Sequence, residues 1–145
     1  MPEVHAPLSP SAADRWFTCP GSIVLSKGMP ERSSEFAKEG TLAHSVAEAM
    51  LNGGVFEATD EMTEQVGVYV NYVDELANHP EAILHTEVKV KVSDDLWGTA
   101  DAVVWRPDQK TLYVADLKFG AGVGVEVSDN LQLKIYGLAP LLTLK

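Results

Sequence analysis

Asp116 and Lys118 are separated by one residue in the run Val114-Ala115-Asp116-Leu117-Lys118. The apolar flank predicts a strand, and the two-residue strand period places the carboxylate and the amine on one face. Alone, that pattern also describes a solvated ion pair. A second carboxylate changes the weighing: Gly98-Thr99-Ala100-Asp101 lies one strand earlier, and antiparallel pairing can bring Asp101 beside Asp116 at one level of a sheet. Adjacent carboxylates repel unless a cation sits between them. Hard oxygens grouped this way suit Mg²⁺ or Mn²⁺, as one or two ions, which need few protein carboxylates and complete their shells with water and phosphate oxygens. The backbone carbonyl of Leu117 is a further candidate oxygen. Such an ion lowers the pKa of a water and offsets charge on a phosphate, and Lys118 is the candidate to orient that water or take its proton. The expected chemistry is metal-assisted phosphodiester hydrolysis, with Asp101, Asp116 and Lys118 as catalytic residues.

The elements that must position these residues follow from periodicity. Ser9 or Ser11 can cap a short helix through Ala12, Ala13, Arg15 and Trp16, stopped by Pro20-Gly21, and a second short helix runs from Ser22 to Lys27. Ser33 or Ser34 then precedes Phe36, Leu42, Ala43, Val46, Ala47, Met50 and Leu51 at helical spacing, ending at Asn52-Gly53-Gly54. That helix carries His44 and Glu48 one turn apart. Thr59 to Asn78 reads as another amphipathic helix, stopped by His79-Pro80, and looks structural rather than chemical. From Ile83 the period becomes two, with Glu87, Lys89 and Lys91 predicted on a common face of the first strand. Gly98 to Trp105 and Thr111 to Phe119 form the second and third strands, joined through Arg106-Pro107-Asp108-Gln109-Lys110. Gly120 to Gly124 reads as a link or bulge, Val125 to Val127 as a short strand, and Ser128-Asp129-Asn130 as the cap of a last helix weakened by Gly137 and Pro140. The expected fold class is α/β (α+β): a central mixed sheet with an antiparallel three-strand meander, flanked by helices. We expect one domain over residues 1–145, with an irregular lead-in at 1–35, helices at 36–78, the meander at 83–119 and a C-terminal helix at 128–143.

Composition narrows the classes. A chain of 145 residues with 46% hydrophobic content can bury one core. No apolar run is long enough for a membrane span and the N-terminus lacks a signal-peptide pattern, so a cytoplasmic location without membrane association is expected. The single cysteine, Cys19, excludes an intramolecular disulfide framework and is expected to be a packed small hydrophobe. The formal net charge of −10 is awkward for phosphate binding. It is reconciled if carboxylates are neutralised by bound cations, or if basic residues gather at the site or come from neighbouring subunits in a ring or other homo-oligomer. Arg15, Lys89 and Lys91 are the candidate phosphate contacts. Trp16, Trp97 and Trp105 belong either to the core or to a surface that stacks unpaired bases.

Taken in order, Gly40-Thr41-Leu42-Ala43-His44, Gly98-Thr99-Ala100-Asp101, Val114-Ala115-Asp116-Leu117-Lys118 and Gln132-Leu133-Lys134-Ile135-Tyr136 resemble the motifs of the PD-(D/E)XK nuclease superfamily, in its RecB-like exonuclease branch. The resemblance covers roughly residues 11 to 136. It implies a restriction-endonuclease-like core, metal coordination by His44, Asp101 and Asp116, catalysis by Lys118, and a supporting role for Gln132 and Tyr136 near the substrate or the lysine. Glu87 looks like the acidic residue that some members carry on the first strand; an exposed strand glutamate is an equal reading. Glu48 reads either as a partner for the His44 imidazole or as a solvated helix residue. Members with an iron–sulfur cluster use one early and three late cysteines; Cys19 stands at the early place without the others, so no cluster is expected. The implied partner is DNA, with a helicase or recombination protein as a further one, in the cytosol of a bacterium or a phage-infected host. The competing expectation is a non-catalytic nucleic-acid-binding or assembly module on the same fold.

Overall fold

The computed structural model describes residues 6–29, 34–120 and 124–144. The expectations resting on His5, Ser33 and the middle of the glycine-rich link, 121–123, lie outside them. The chain divides into two compact units: 1–32 with 89–100 and 125–145, and 33–88 with 101–124.

In the second unit, helix α3 spans Glu35–Asn52 and helix α4 spans Asp60–Ala77, numbered after the short N-terminal helices α1 (Ala13–Thr18) and α2 (Ser22–Leu25). Capping defines both ends as the residue types require. The Ser34 side chain accepts from the Ala37 N–H and the Thr59 side chain from the Met62 N–H, each satisfying a donor that the first turn leaves unpaired. Gly53, at φ 68°, takes the left-handed conformation that closes α3. The apolar stripes of the two helices meet in a core of Ala43, Val46, Ala47, Met62, Val66 and Val70, into which Leu117 also packs. Fully buried valines such as Val46 and Val66 contribute on the order of 1.5–3 kcal/mol each relative to exposure. Further along α4, Val73 packs against Ala102 and Val104.

Strands β1 (Ile83–Lys91), β2 (Trp97–Arg106) and β3 (Thr111–Ala115) form a sheet in the order β1-β2-β3. The β2–β3 pairing is antiparallel, with Ala102 opposite Ala115 and Val104 opposite Tyr113. The five-residue β1–β2 connection can only reverse the chain, so the meander expected from the sequence is present. As the central strand, β2 is buried at Ala102, Val103 and Val104 in succession instead of alternating. The fold is therefore mixed α+β, a three-strand antiparallel sheet flanked by helices; among the described residues no parallel strand joins it. Residues 125–127 are not a strand: Val125 and Val127 are exposed, without an apolar surface to cover them.

In the first unit, a 3-10 turn at Pro10–Ala12 leads into α1, and Ser9 sits at its N-cap without a side-chain capping bond. Cys19 is exposed, not packed, because it falls at the C-cap where the chain leaves α1. Helix α5 spans Leu131–Thr143, capped by the Asn130 side chain accepting from the Leu133 N–H. Its last turn is tied to β1, where the Thr143 hydroxyl accepts from the Lys91 N–H at 2.9 Å and donates to the Lys91 carbonyl at 3.1 Å. No helix is long and apolar enough to cross a membrane among the described residues.

Candidate metal and active site

Strand β3 is shorter than the sequence suggests. It ends at Ala115, one step before Asp116, and residues 116–119 are irregular. The register nevertheless extrapolates to Asp101 opposite Asp116, since each later pair advances one residue on both strands. The ladder stops because a side chain takes over: the Leu117 N–H donates to Asp101 Oδ2 at 2.7 Å. This turns the chain out of the sheet directly after Asp116 while the Leu117 side chain enters the α3–α4 core. Leu117 therefore contacts Asp101 through its amide proton.

The other Asp101 oxygen faces α3. Its Oδ1 lies 3.3 Å from His44 Nδ1, with the Asp101 side chain only 11% exposed and that of His44 35%. Asp101 thus joins the middle of α3 to the end of β3. Its hydrogen bond to the imidazole raises the His44 pKa; burial works against this, and the charges of Asp101, Glu87 and Asp116 add to it. Asp116 has the opposite balance. Burial pushes its carboxyl up, Lys118 pulls it down, and the Asp101 charge pushes it up again. Lys118 Nζ lies 2.6 Å from Asp116 Oδ2, with the lysine side chain 46% exposed and the aspartate side chain 10%. The pair is therefore a buried carboxylate whose ammonium partner reaches toward solvent.

Glu87 completes the group. One ligand atom from each of His44, Glu87 and Asp101 lies within 4.8 Å of the other two. Donors around one hard cation at about 2.0–2.2 Å stand no more than about 4.4 Å apart, so the set needs only a few tenths of an ångström of contraction. Two carboxylates with one imidazole suit Mn²⁺ or Mg²⁺ better than a soft ion. Glu87 gets there by a backbone device that alternation does not foresee. Its φ is +46°, left-handed, inside a strand whose other residues are extended. A left-handed residue costs a side chain with a Cβ about 1–2 kcal/mol. It also interrupts the expected common face of Glu87, Lys89 and Lys91, which requires unbroken extended backbone. Strain of this kind persists where surrounding structure imposes it, often at functional sites.

Tyr69, on the apolar stripe of the helix that the sequence marks as structural, also lies beside this group. Burial pushes its hydroxyl pKa upward, and the charges of Asp101, Glu87 and Asp116 push it further. Its Oη lies 3.5 Å from the Ala115 carbonyl, at the point where β3 gives way to Asp116. The available signal was a tyrosine on the stripe of Val66, Val70 and Val73, where a buried hydroxyl needs an acceptor. Glu48 is exposed, and among the described residues no hydrogen bond joins it to His44.

The remaining candidates lie in the first unit. Tyr136 is buried and half-buried Gln132 stands one turn before it on α5. The Tyr136 hydroxyl would lie 2.7 Å from a Cβ placed on Gly98, so glycine in the Gly98-Thr99-Ala100-Asp101 motif makes room for this tyrosine. Two of the expected phosphate contacts have local partners. Lys89 Nζ sits 3.8 Å above the Trp97 ring, and Lys91 Nζ lies 3.2 Å from Asp94 Oδ1. Arg15 is exposed beside a cleft in the N-terminal segment. The half-buried Trp16 donates its indole N–H to the Ser9 carbonyl at 2.9 Å, while Trp105 is half-buried on β2.

Residues 5–59 and 52–145 match the model of a family described as a protein of unknown function, DUF2800. The chain belongs to the DUF2800 family. No solved structure matches it. The matched residues include both units and every side chain of the acidic group.

Proposed function

We propose that this DUF2800 chain is a divalent-metal-dependent deoxyribonuclease with a restriction-endonuclease-like core, of the PD-(D/E)XK kind and RecB-like in its motifs. The convergence of His44, Glu87 and Asp101 ligand atoms beside the Asp116–Lys118 pair carries the reading. A Mg²⁺ or Mn²⁺ held there would supply Lewis acidity toward a phosphate oxygen and acidify a water. The chain's own residues do the rest. His44, Glu87 and Asp101 would hold the ion, and the Leu117 N–H keeps the Asp101 carboxylate aimed. Asp116 holds Lys118 Nζ at the solvent edge, where the ammonium can orient an attacking water or bind a phosphate oxygen. Tyr69 keeps its proton at Oη beside the carboxylates and supports the end of β3. Gln132 and Tyr136 serve as supporting residues. We assign the activity to bacterial or phage DNA replication, recombination or repair, in the cytosol, with a homo-oligomer supplying further DNA contacts and a helicase or recombination protein as a partner.

The test is degradation of end-labelled single-stranded, duplex and branched DNA with Mg²⁺ or Mn²⁺. Asp116→Ala and Lys118→Ala are each expected to lower the rate by at least about a hundredfold while the protein stays folded. Equal rates in the substituted proteins, or no cleavage by the parent on any substrate, would overturn the proposal. Metal binding with no cleavage would favour the non-catalytic nucleic-acid-binding module instead.

A further inference from the structure

The charge of this protein is unevenly placed. The unit containing residues 33–88 and 101–124 has fourteen acidic and four basic residues, whereas the other has seven of each. Within the balanced unit, an open cleft of about 660 Å³ is lined by Arg15, Lys27, Trp16 and four serines, Ser9, Ser11, Ser22 and Ser26, together with apolar residues and glycine, and by no carboxylate among the described residues. A cleft whose described lining gathers two cations and four hydroxyls, in a net-acidic chain, is suited to an anion.

Three details identify the anion's chemistry. Neither Arg15 nor Lys27 forms an ion pair with another described residue. A guanidinium fork, an ammonium and hydroxyl donors match the several oxygens of a phosphate better than the two of a carboxylate. Ser22 carries a side-chain oxygen that is shielded from solvent and lacks a hydrogen-bond partner, an arrangement native structures rarely keep without a reason. Ser22 also lines the cleft, so its hydroxyl is a candidate donor to a ligand there. Finally, the Trp16 indole N–H donates to the Ser9 carbonyl, which restrains the ring, and Trp16 is the cleft's aromatic lining residue. Aromatic faces of this kind stack on nucleic-acid bases without sequence preference.

We propose that this cleft binds a nucleotide phosphomonoester, with the phosphate on Arg15, Lys27 and the serine hydroxyls and the base against Trp16. The site contains none of the metal-binding residues, so it stands or falls separately from the nuclease reading. The test is calorimetric titration of the whole protein in excess EDTA, which prevents metal-dependent cleavage. The ligands are deoxyadenosine monophosphate, deoxyadenosine, inorganic phosphate, and one short single-stranded oligonucleotide with either a 5′-phosphate or a 5′-hydroxyl. The monophosphate is expected to bind at least about tenfold more tightly than deoxyadenosine or inorganic phosphate. Arg15→Gln, at an exposed position, is expected to weaken it by a similar factor. Ser22→Ala is expected to weaken binding about threefold or more while the circular dichroism melt is unchanged or higher, since the substitution removes an unpartnered hydroxyl. If the 5′-phosphorylated oligonucleotide binds like the monophosphate and its 5′-hydroxyl counterpart does not, the ligand is a strand end; preference for the monophosphate alone makes it a free nucleotide. Equal affinity for monophosphate and nucleoside, no binding of either, or unchanged binding by folded Arg15→Gln would overturn the proposal.

Discussion

The two compact units treat charge in opposite ways. One collects carboxylates against each other and against burial, so that Asp101, Asp116 and Glu87 raise the pKa values of their neighbours. The other lines a cleft with two cations and hydroxyls and, among the described residues, no carboxylate. A net charge of −10 therefore says little about phosphate affinity, because charge averaged over a sequence hides where it is concentrated. Repulsion within the acidic group is also informative, since structures keep like charges together where something else gains from them.

The sharpest way to break this contrast is at Glu87. Glu87→Gly removes a proposed metal ligand and relaxes a left-handed backbone at the same position. Mn²⁺ affinity measured by calorimetry is expected to fall by at least about a hundredfold, while stability in urea rises by up to about 1 kcal/mol. Loss of both affinity and stability would make Glu87 a structural residue instead. Gly98→Ala probes the balanced unit. Its new Cβ would meet Tyr136 Oη at 2.7 Å and Pro10 Cγ at 3.0 Å, so urea unfolding should show a loss of about 1–3 kcal/mol. Unchanged stability would mean that these neighbours move aside freely. The smallest effect belongs to the Asp108–Arg106 pair in the β2–β3 turn, where Arg106 Nη2 lies 2.9 Å from Asp108 Oδ2. The Arg106 hydrogen bond lowers the Asp108 pKa. Its contribution is present above the ordinary aspartate pKa of about 3.9 and is lost as pH falls through the lower folded value. The melting-temperature gap between parent and Asp108→Asn should therefore close between about pH 5 and pH 2; a constant gap would show that the ion pair is not its source.

Much of this molecule was legible in one dimension because local rules govern it. Ser34, Gly53, Thr59 and Asn130 define helix ends through short-range hydrogen bonds and backbone preference, and all four positions lie where periodicity changes. The Asp101–Asp116 register was readable too, because a short hairpin leaves few pairings that keep the apolar face buried. The end of β3, the exposure of Cys19 and the irregular backbone at Val125 were not. Each depends on whether a distant partner takes a backbone bond or covers a side chain, as Asp101 does for the Leu117 N–H.

By itself the sequence determined which elements hold the candidate site residues, because residue type, two- and 3.6-residue periods and capping are properties of neighbours along the chain. Tertiary structure alone decided that Glu87 turns into the His44–Asp101 group through a left-handed residue, that Tyr69 joins the same carboxylates, and that Lys89 and Lys91 meet Trp97 and Asp94. Those outcomes depend on backbone conformations and side-chain encounters that become definite only once the packed elements leave each group a single low-energy place to go.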